Sequence, residues 1–249
     1  MALRLIVEGR PRSGAMNMAI DEVLLESAIR AGMATLRIYR WNEPTVSLGY
    51  FQPHDDRIIG QRFEGLPVVR RLSGGGAILH HHETTYSVVY PPGHDFGDNP
   101  SRLYDAVHAG VVQFLNSMEI PAQLRGAPLA DQPFLCFGRG DARDVVIGAS
   151  KVMGSAQRRR SGAVLQHGAL LLRRSSWAEE FAGLSDLTSL SQETIENMPA
   201  LLGAAISDSL PELTIATTLE SCEEQRAIAL AVTQYATPAQ IARRNSHGP

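Results

Sequence analysis

Apolar positions along the chain change period several times, and each change marks an element. The run LRLIVEG alternates and predicts a first strand. Ser13 then caps a helix over 15–31, in which Met16, Ile20, Val23, Leu24 and Ala28 recur at helical spacing and Gly32 supplies the stop. That helix is expected to serve packing, with no chemistry. TLRIYRW and TVSLGYF follow as strands, and the breakers from Asn42 to Pro44 between them predict a hairpin. A short amphipathic helix over 55–63 leads to the strand PVVRRL, after which SGGGAILHHHETTYSVVYP ends one strand and opens another at its glycines. Beyond the breaker-rich PPGHDFGDNP, a helix over 101–118 carries Leu103, Val107, Val111, Phe114 and Leu115 on one face. PAQLRGAPLADQP reads as a brief strand and an irregular loop. DVVIG and KVMGSAQ predict a hairpin turning at 148–150, and GAVLQHGALLL a further strand. The remainder is a helix over 192–210, a strand in ELTIATTL and a last helix over 221–235. Strands alternating with helices and joined by hairpins favour an α+β fold, a mixed sheet covered by helices, over a doubly wound parallel one.

Composition narrows this little. A length of 249 residues with 44% hydrophobic positions suits one large domain. The segment from about 190 to 249 is expected as a C-terminal helical extension of that single domain, since no linker or repeat sets it apart. A net charge of −3 argues against a general nucleic-acid binder. Two cysteines are too few for a disulfide framework, and neither a signal peptide nor an 18-residue apolar run is present, so a cytoplasmic protein without a membrane span is expected.

Chemistry concentrates between residues 134 and 172. Lys151 is the only lysine in the chain; every other basic side chain is arginine. Lysine is a compact point charge, and a site that needs one small cation would resist replacement by the wide planar guanidinium. The predicted hairpin returns Lys151 toward Cys136, and a nearby cation stabilises a thiolate, which is the nucleophilic form. Arg125, Arg139 and Arg143 also flank Cys136, whereas Cys222 is followed by Glu223 and Glu224 and lacks an unopposed positive setting. A small buried hydrophobe is the alternative role for Cys136. The loop ahead of it is either a lid over a ligand or an ordinary connector.

Three further features admit two readings each. Consecutive glycines at 74–76 let a ligand approach the backbone, or simply make a tight turn. Strand alternation would set His80 and His82 on one face and His81 on the other, but two ligands are not a metal site, and none is expected. Arg158 to Arg160 is either a solvated face or a docking surface for an acidic carrier. His167 is a proton shuttle or a hydrogen-bonded core histidine.

CFGRGDARDVVIGASKVMGSAQRRRSGAVLQHGALLL, RRLSGGGAILHHHETTYSVV and MNMAIDEVLLESAIRAGMATLRIYRWNEPTVSLGYFQ together resemble the lipoate-protein ligase and octanoyltransferase superfamily, most closely its cysteine-dependent octanoyltransferase branch. The similarity runs from about residue 10 to the C-terminal helix. It implies a fold like class II aminoacyl-tRNA synthetases and biotin ligases, with a mixed, largely antiparallel sheet flanked by helices. It implies Cys136 as the acyl-carrying nucleophile and Lys151 as its activator. A substrate pocket would be formed by Arg70, Arg71, Ser73, Gly74, Gly75, Gly76, His80, Gly154, Ser155, Ala156, Gln157, Gln166, His167 and Gly168. The implied partners are octanoyl-acyl carrier protein and a lipoyl-domain acceptor such as the glycine-cleavage H protein, met by a monomer with no cofactor. ATP and Mg would enter only for an ATP-dependent lipoate ligase, the competing activity; an amidotransferase between carrier domains and a non-catalytic lipoyl-binding module are further alternatives. His81 stands where the family has an aspartate after the first histidine, which weakens the ligase alternative.

Overall fold

The structure is a computed structural model that describes residues 1–241. The chain begins with β1 (Ala2–Val7), α1 (Gly14–Ala31), β2 (Ala34–Tyr39), β3 (Thr45–Leu48), α2 (Asp56–Arg62), β4 (Val68–Arg70), β5 (Ile78–His80) and β6 (Glu83–Tyr90). It continues through α3 (Asp95–Asp98), α4 (Pro100–Ser117), β7 (Ala122–Leu124), β8 (Val145–Ile147), β9 (Ser150–Arg160) and β10 (Ala163–Leu171). Last come α5 (Leu184–Leu187), α6 (Gln192–Asp208), β11 (Leu213–Ala216), α7 (Ser221–Leu230) and α8 (Pro238–Ile241). Eight strands form one sheet in the order β11-β1-β2-β6-β10-β9-β8-β7, and a second sheet has the order β4-β3-β5. In the large sheet β1 runs parallel to both β11 and β2, and every pair from β2 onward is antiparallel, so the sheet is mixed and largely antiparallel, as expected.

Both faces of the large sheet are covered, so its central strands read as continuous apolar runs. On one face Leu103, Val107, Val111 and Leu115 of α4 and Met198, Leu202 and Ile206 of α6 pack on Leu36, Ile38, Tyr86 and Val88. On the other, Ile20, Val23, Leu24 and Leu25 of α1 meet Val89 and Leu165, with Ala227, Leu230 and Tyr235 behind them. α1 is held at both ends as the sequence predicts: the Ser13 hydroxyl accepts from Met16 N, and Gly32 takes φ +66° to close the last turn onto Ala28 O. Among the described residues no helix is long and apolar enough to cross a membrane.

Two predicted connections differ. The strands on either side of Asn42 to Pro44 do not form a hairpin: β2 lies between β1 and β6, while β3 leaves for the small sheet. Breakers mark where a chain turns but carry nothing about which sheet it enters next. The last helix is α-helical only to Leu230 and continues as a π-helical turn over Ala231–Tyr235. The segment from 190 is built into the same core, through α6 on the sheet face, β11 beside β1 and α7 against α1. Residues 242–249 of the expected extension lie outside the described residues.

Candidate active site

The site lies where the small sheet meets the start of β9. Because β4 and β5 occupy opposite edges of β3, the chain joining them, residues 71–77, cannot turn tightly and must cross the end of β3. It crosses in close backbone contact. A Cβ on Gly49 would sit 2.0 Å from the Gly75 oxygen, and Gly75 takes φ +90°, which a side chain would strain. The glycines are therefore no hairpin turn. Ala77 N–H donates to Phe134 O (2.9 Å) and Cys136 N–H donates to Ala77 O (2.7 Å), which ties this crossing to the loop that carries the cysteine.

Cys136 opens a single 3-10 turn, Cys136–Gly138, and is half-buried. The β8/β9 hairpin forms as predicted, with a bulge at Val145/Val146, and brings Lys151 beneath that turn. Lys151 Nζ donates to Cys136 O (3.2 Å) and Arg139 O (3.3 Å) and pairs with Asp144 Oδ1 at 2.9 Å. Its side chain runs over Gly154, where a Cβ would lie 2.5 Å from Lys151 Cε. Burial pushes the Asp144 carboxyl up, against the pull of Lys151. Of the three flanking arginines, Arg125 lies 3.7 Å from Asp144 and Arg143 is paired with Asp105. Arg139 donates to Pro133 O and stays beside the glycine crossing.

Cys136 and Lys151 face a small, mostly apolar pocket. Of the expected pocket residues it is lined by Arg71, His80, Gly154, Ser155, Ala156, His167 and Gly168. Met18, Tyr39, Ile78, Thr85, Phe137 and Ala169 complete the wall and escaped sequence reasoning. Arg70 is elsewhere: it is fully buried and donates to the carbonyls of Gly49, Gln52, Gln240 and Ile241, joining β4 to the C-terminal turn. Ser73 stands behind His167, and Gly74 and Gly76 accept from Arg71 instead of lining the cavity. Gln157 and Gln166 sit on the α4 side of the sheet, bonded to each other at 2.7 Å and onward to Tyr86 and Pro100. Ser155 links this layer to His108, whose Nε2 it meets at 2.7 Å.

Two histidines reach the cavity with their tautomers set by carboxylates. His167 Nδ1 faces Asp21 Oδ2 at 3.3 Å and must donate there, which leaves Nε2 to accept from the Ser73 hydroxyl. Asp21 also accepts from Arg37, Tyr39 and Ser87; burial works to raise its carboxyl, but His167 and Arg37 prevail and hold it low. Its place in α1 sets a carboxylate of that helix against a histidine of the pocket, where packing alone was expected. The signal was present, since Asn17 and Asp21 are polar residues one turn apart inside a helix that is otherwise apolar there. His80 donates from Nδ1 to Glu83 Oε1 (2.5 Å), meets Ser47 Oγ at 2.8 Å and stacks on Trp41 at 3.7 Å. His80 and His82 do not share a strand face, because β5 ends at His80; His81 and His82 stack on each other outside the cavity. The carboxylate beside His80 is Glu83, which also accepts from the His81 amide at 2.7 Å. Among the described residues no group of three or more His, Cys, Asp or Glu could hold a metal ion. Arg158 lies over the Tyr50 ring and Arg160 pairs with Glu22, so this run is engaged within the fold.

With the geometry in hand, comparison places the chain among known proteins. Residues 13–224 match the family described as the lipoyl protein ligase A/B catalytic domain. The chain is 42% identical over 164 residues to octanoyltransferase LipM of Moorella thermoacetica, covering 63% of this chain and 60% of that protein. To octanoyltransferase LipM of Carboxydothermus hydrogenoformans it is 39% identical over 166 residues, covering 65% and 62%. The chain thus spans about three fifths of the length of these curated relatives. In structure it is similar to a T. acidophilum protein with bound lipoic acid (TM-score 0.75, 26% identity, 97% of this chain and 99% of that one). A lipoate-protein ligase A bound with ATP gives a TM-score of 0.74 at 25% identity over the same shares.

Proposed function

Because the chain belongs to the lipoyl protein ligase A/B catalytic-domain family, we propose that it transfers an octanoyl group from octanoyl-acyl carrier protein to a lysine of a lipoyl-domain acceptor through an acyl-cysteine. The observation that carries this reading is the half-buried thiol of Cys136 facing the same apolar cavity as Lys151. The names of its relatives support the acyl group.

The Cys136 thiolate attacks the thioester carbonyl; the carbon–sulfur bond to Cys136 forms, and the tetrahedral intermediate expels the carrier thiolate. One thioester replaces another, so the step needs no ATP. The acceptor amine then attacks the acyl-cysteine, loses its proton and releases the Cys136 thiolate, leaving an amide. His167, its Nδ1 proton directed at Asp21, is placed to take that proton at Nε2 once Ser73 yields the position. The apolar wall of Met18, Ile78, Phe137 and Ala169 suits a hydrocarbon chain and excludes water from the acyl-enzyme.

ATP-dependent lipoate ligation is the second reading, favoured by the likeness to a ligase bound with ATP. One experiment separates the two: intact mass after brief incubation with octanoyl-acyl carrier protein without ATP. The parent is expected to gain one octanoyl group and Cys136→Ala none. An ATP-dependent lipoylation of the acceptor, with no adduct and no effect of Cys136→Ala, would establish the ligase instead.

A further inference from the structure

The lysine expected to activate the nucleophile has no free hydrogen-bond donor. An ammonium carries three N–H bonds, and those of Lys151 point at Asp144, the Cys136 carbonyl and the Arg139 carbonyl. Its charge is balanced by a carboxylate 2.9 Å away that is itself buried. At the thiol, Lys151 and Asp144 together act as a dipole and contribute little net positive charge.

Arg71 is the opposite case. It is 2% exposed, and its guanidinium donates to the carbonyls of Ser47, Gly74 and Gly76 and to the Ser47 hydroxyl. Every acceptor is neutral, and Nε has no hydrogen-bond partner among the described residues. Among the described residues no carboxylate pairs with it; Glu83 is reached only through His80 and Ser47. A buried cation without a counter-ion is costly unless an anion completes it. The one group beside it that can become an anion at neutral pH is Cys136: a Cβ on Gly75 would lie 3.1 Å from Arg71 Nη2 and 4.0 Å from Cys136 Sγ, so guanidinium and sulfur flank the same glycine. Both line the cavity. The other charged or titratable neighbours include Arg139, Arg70, Tyr39 and, across Ser47, His80, which burial holds neutral. The arginines add to the positive field, and Tyr39 stays a neutral phenol because burial holds its hydroxyl far above its usual range. Burial pulls Arg71 down to about 10, and its proximity to Cys136 opposes that pull.

We propose that Arg71, and not Lys151, supplies the positive charge that compensates the Cys136 thiolate, while the Lys151 and Asp144 pair positions the turn that carries it. The glycine crossing then has a physical purpose, since only a backbone without side chains lets a guanidinium held by its carbonyls face the sulfur. The proposal rests on Cys136 being the nucleophile, but its test needs no acyl donor.

The test is the rate of iodoacetamide alkylation of Cys136, followed by intact mass across pH in a Cys222→Ser background. At pH 7, Arg71→Met is expected to lose about tenfold or more in rate, the change that one unit in the thiol's titration midpoint brings, with Arg71→Lys recovering most of it. The neutral double variant Lys151→Met with Asp144→Asn is expected to lower the rate at every pH by disturbing the turn, but to leave the pH midpoint of alkylation where the parent has it. Parental reactivity in folded Arg71→Met, or an upward shift of the midpoint in the double variant, would overturn the proposal. Should Arg71→Met not fold, thermal melts of Cys136→Asp and Cys136→Asn carry the question. An anion at 136 completes the arginine, so Cys136→Asp is expected to melt at least about 2 °C higher at pH 7. An equal or lower midpoint would also overturn it. If the parent forms no octanoyl adduct while Arg71→Met still loses alkylation, the charge pairing stands and the transferase reading falls.

Discussion

His108 shows how one side chain can make this fold sensitive to acid. It is fully buried behind β9, with Nδ1 donating to Arg143 O (2.6 Å) and Nε2 accepting from Ser155 Oγ. Burial, aided by the charge of Lys151 and opposed by the Arg143 carbonyl, brings it from 6.5 to about 4. The folded state therefore takes up this proton at lower pH than the unfolded chain does. The stability it contributes is complete above pH 6.5 and is lost as pH falls toward 4. Urea unfolding at a series of pH values is expected to show a loss of about 3 kcal/mol across that window, and His108→Gln is expected to remove most of the slope. At this scale Cys136 and Lys151 were legible because each is rare and chemically distinctive. Asp144 was not, since a carboxylate among 26 acidic residues announces nothing until it is seen against Lys151, and the polar pair Asn17 and Asp21 marked a polar position in α1 without naming His167 as its partner.

Among the elements, the crossing from β4 to β5 constrains the sequence most. Gly49→Ala would drive its Cβ into the Gly75 oxygen, a backbone atom that cannot swing aside. It is expected to destabilise by about 3 kcal/mol or more, and to reduce alkylation of Cys136 by shifting Arg71. Gly60 lies within α2 with nothing within 4 Å of its added Cβ. Gly60→Ala is expected to stabilise by about 0.5–1 kcal/mol through helix propensity alone. Denaturant midpoints of the two variants check both signs. The period of the apolar positions located β8, β9 and α4 closely. It placed β2 and β3 as strands but paired them wrongly, because strand pairing depends on partners that periodicity does not name.

For the whole molecule, the question is whether the last quarter of the chain is separable. α6 covers one face of the sheet with Met198, Leu202 and Ile206, and β11 extends the sheet beside β1. α7 adds Ala227 and Leu230 behind α1, and Arg4 joins β1 to Glu223 at 2.8 Å. A chain ending at Leu190 would expose these surfaces on both sides. It is expected to lose its cooperative thermal transition by circular dichroism, whereas a separable extension would leave the transition in place. Local pattern determined which stretches are helix or strand, that the sheet is mixed, and that residues 134–172 hold the candidate nucleophile and the only lysine, because these are properties of neighbours along the chain. Tertiary structure alone decided that Lys151 is paired with Asp144, that the Arg71 guanidinium and the Cys136 sulfur flank the same glycine with no carboxylate on Arg71 among the described residues, and that Asp21 reaches His167 across 146 positions. A charge acts through distance and burial, and both are set only when remote segments pack together.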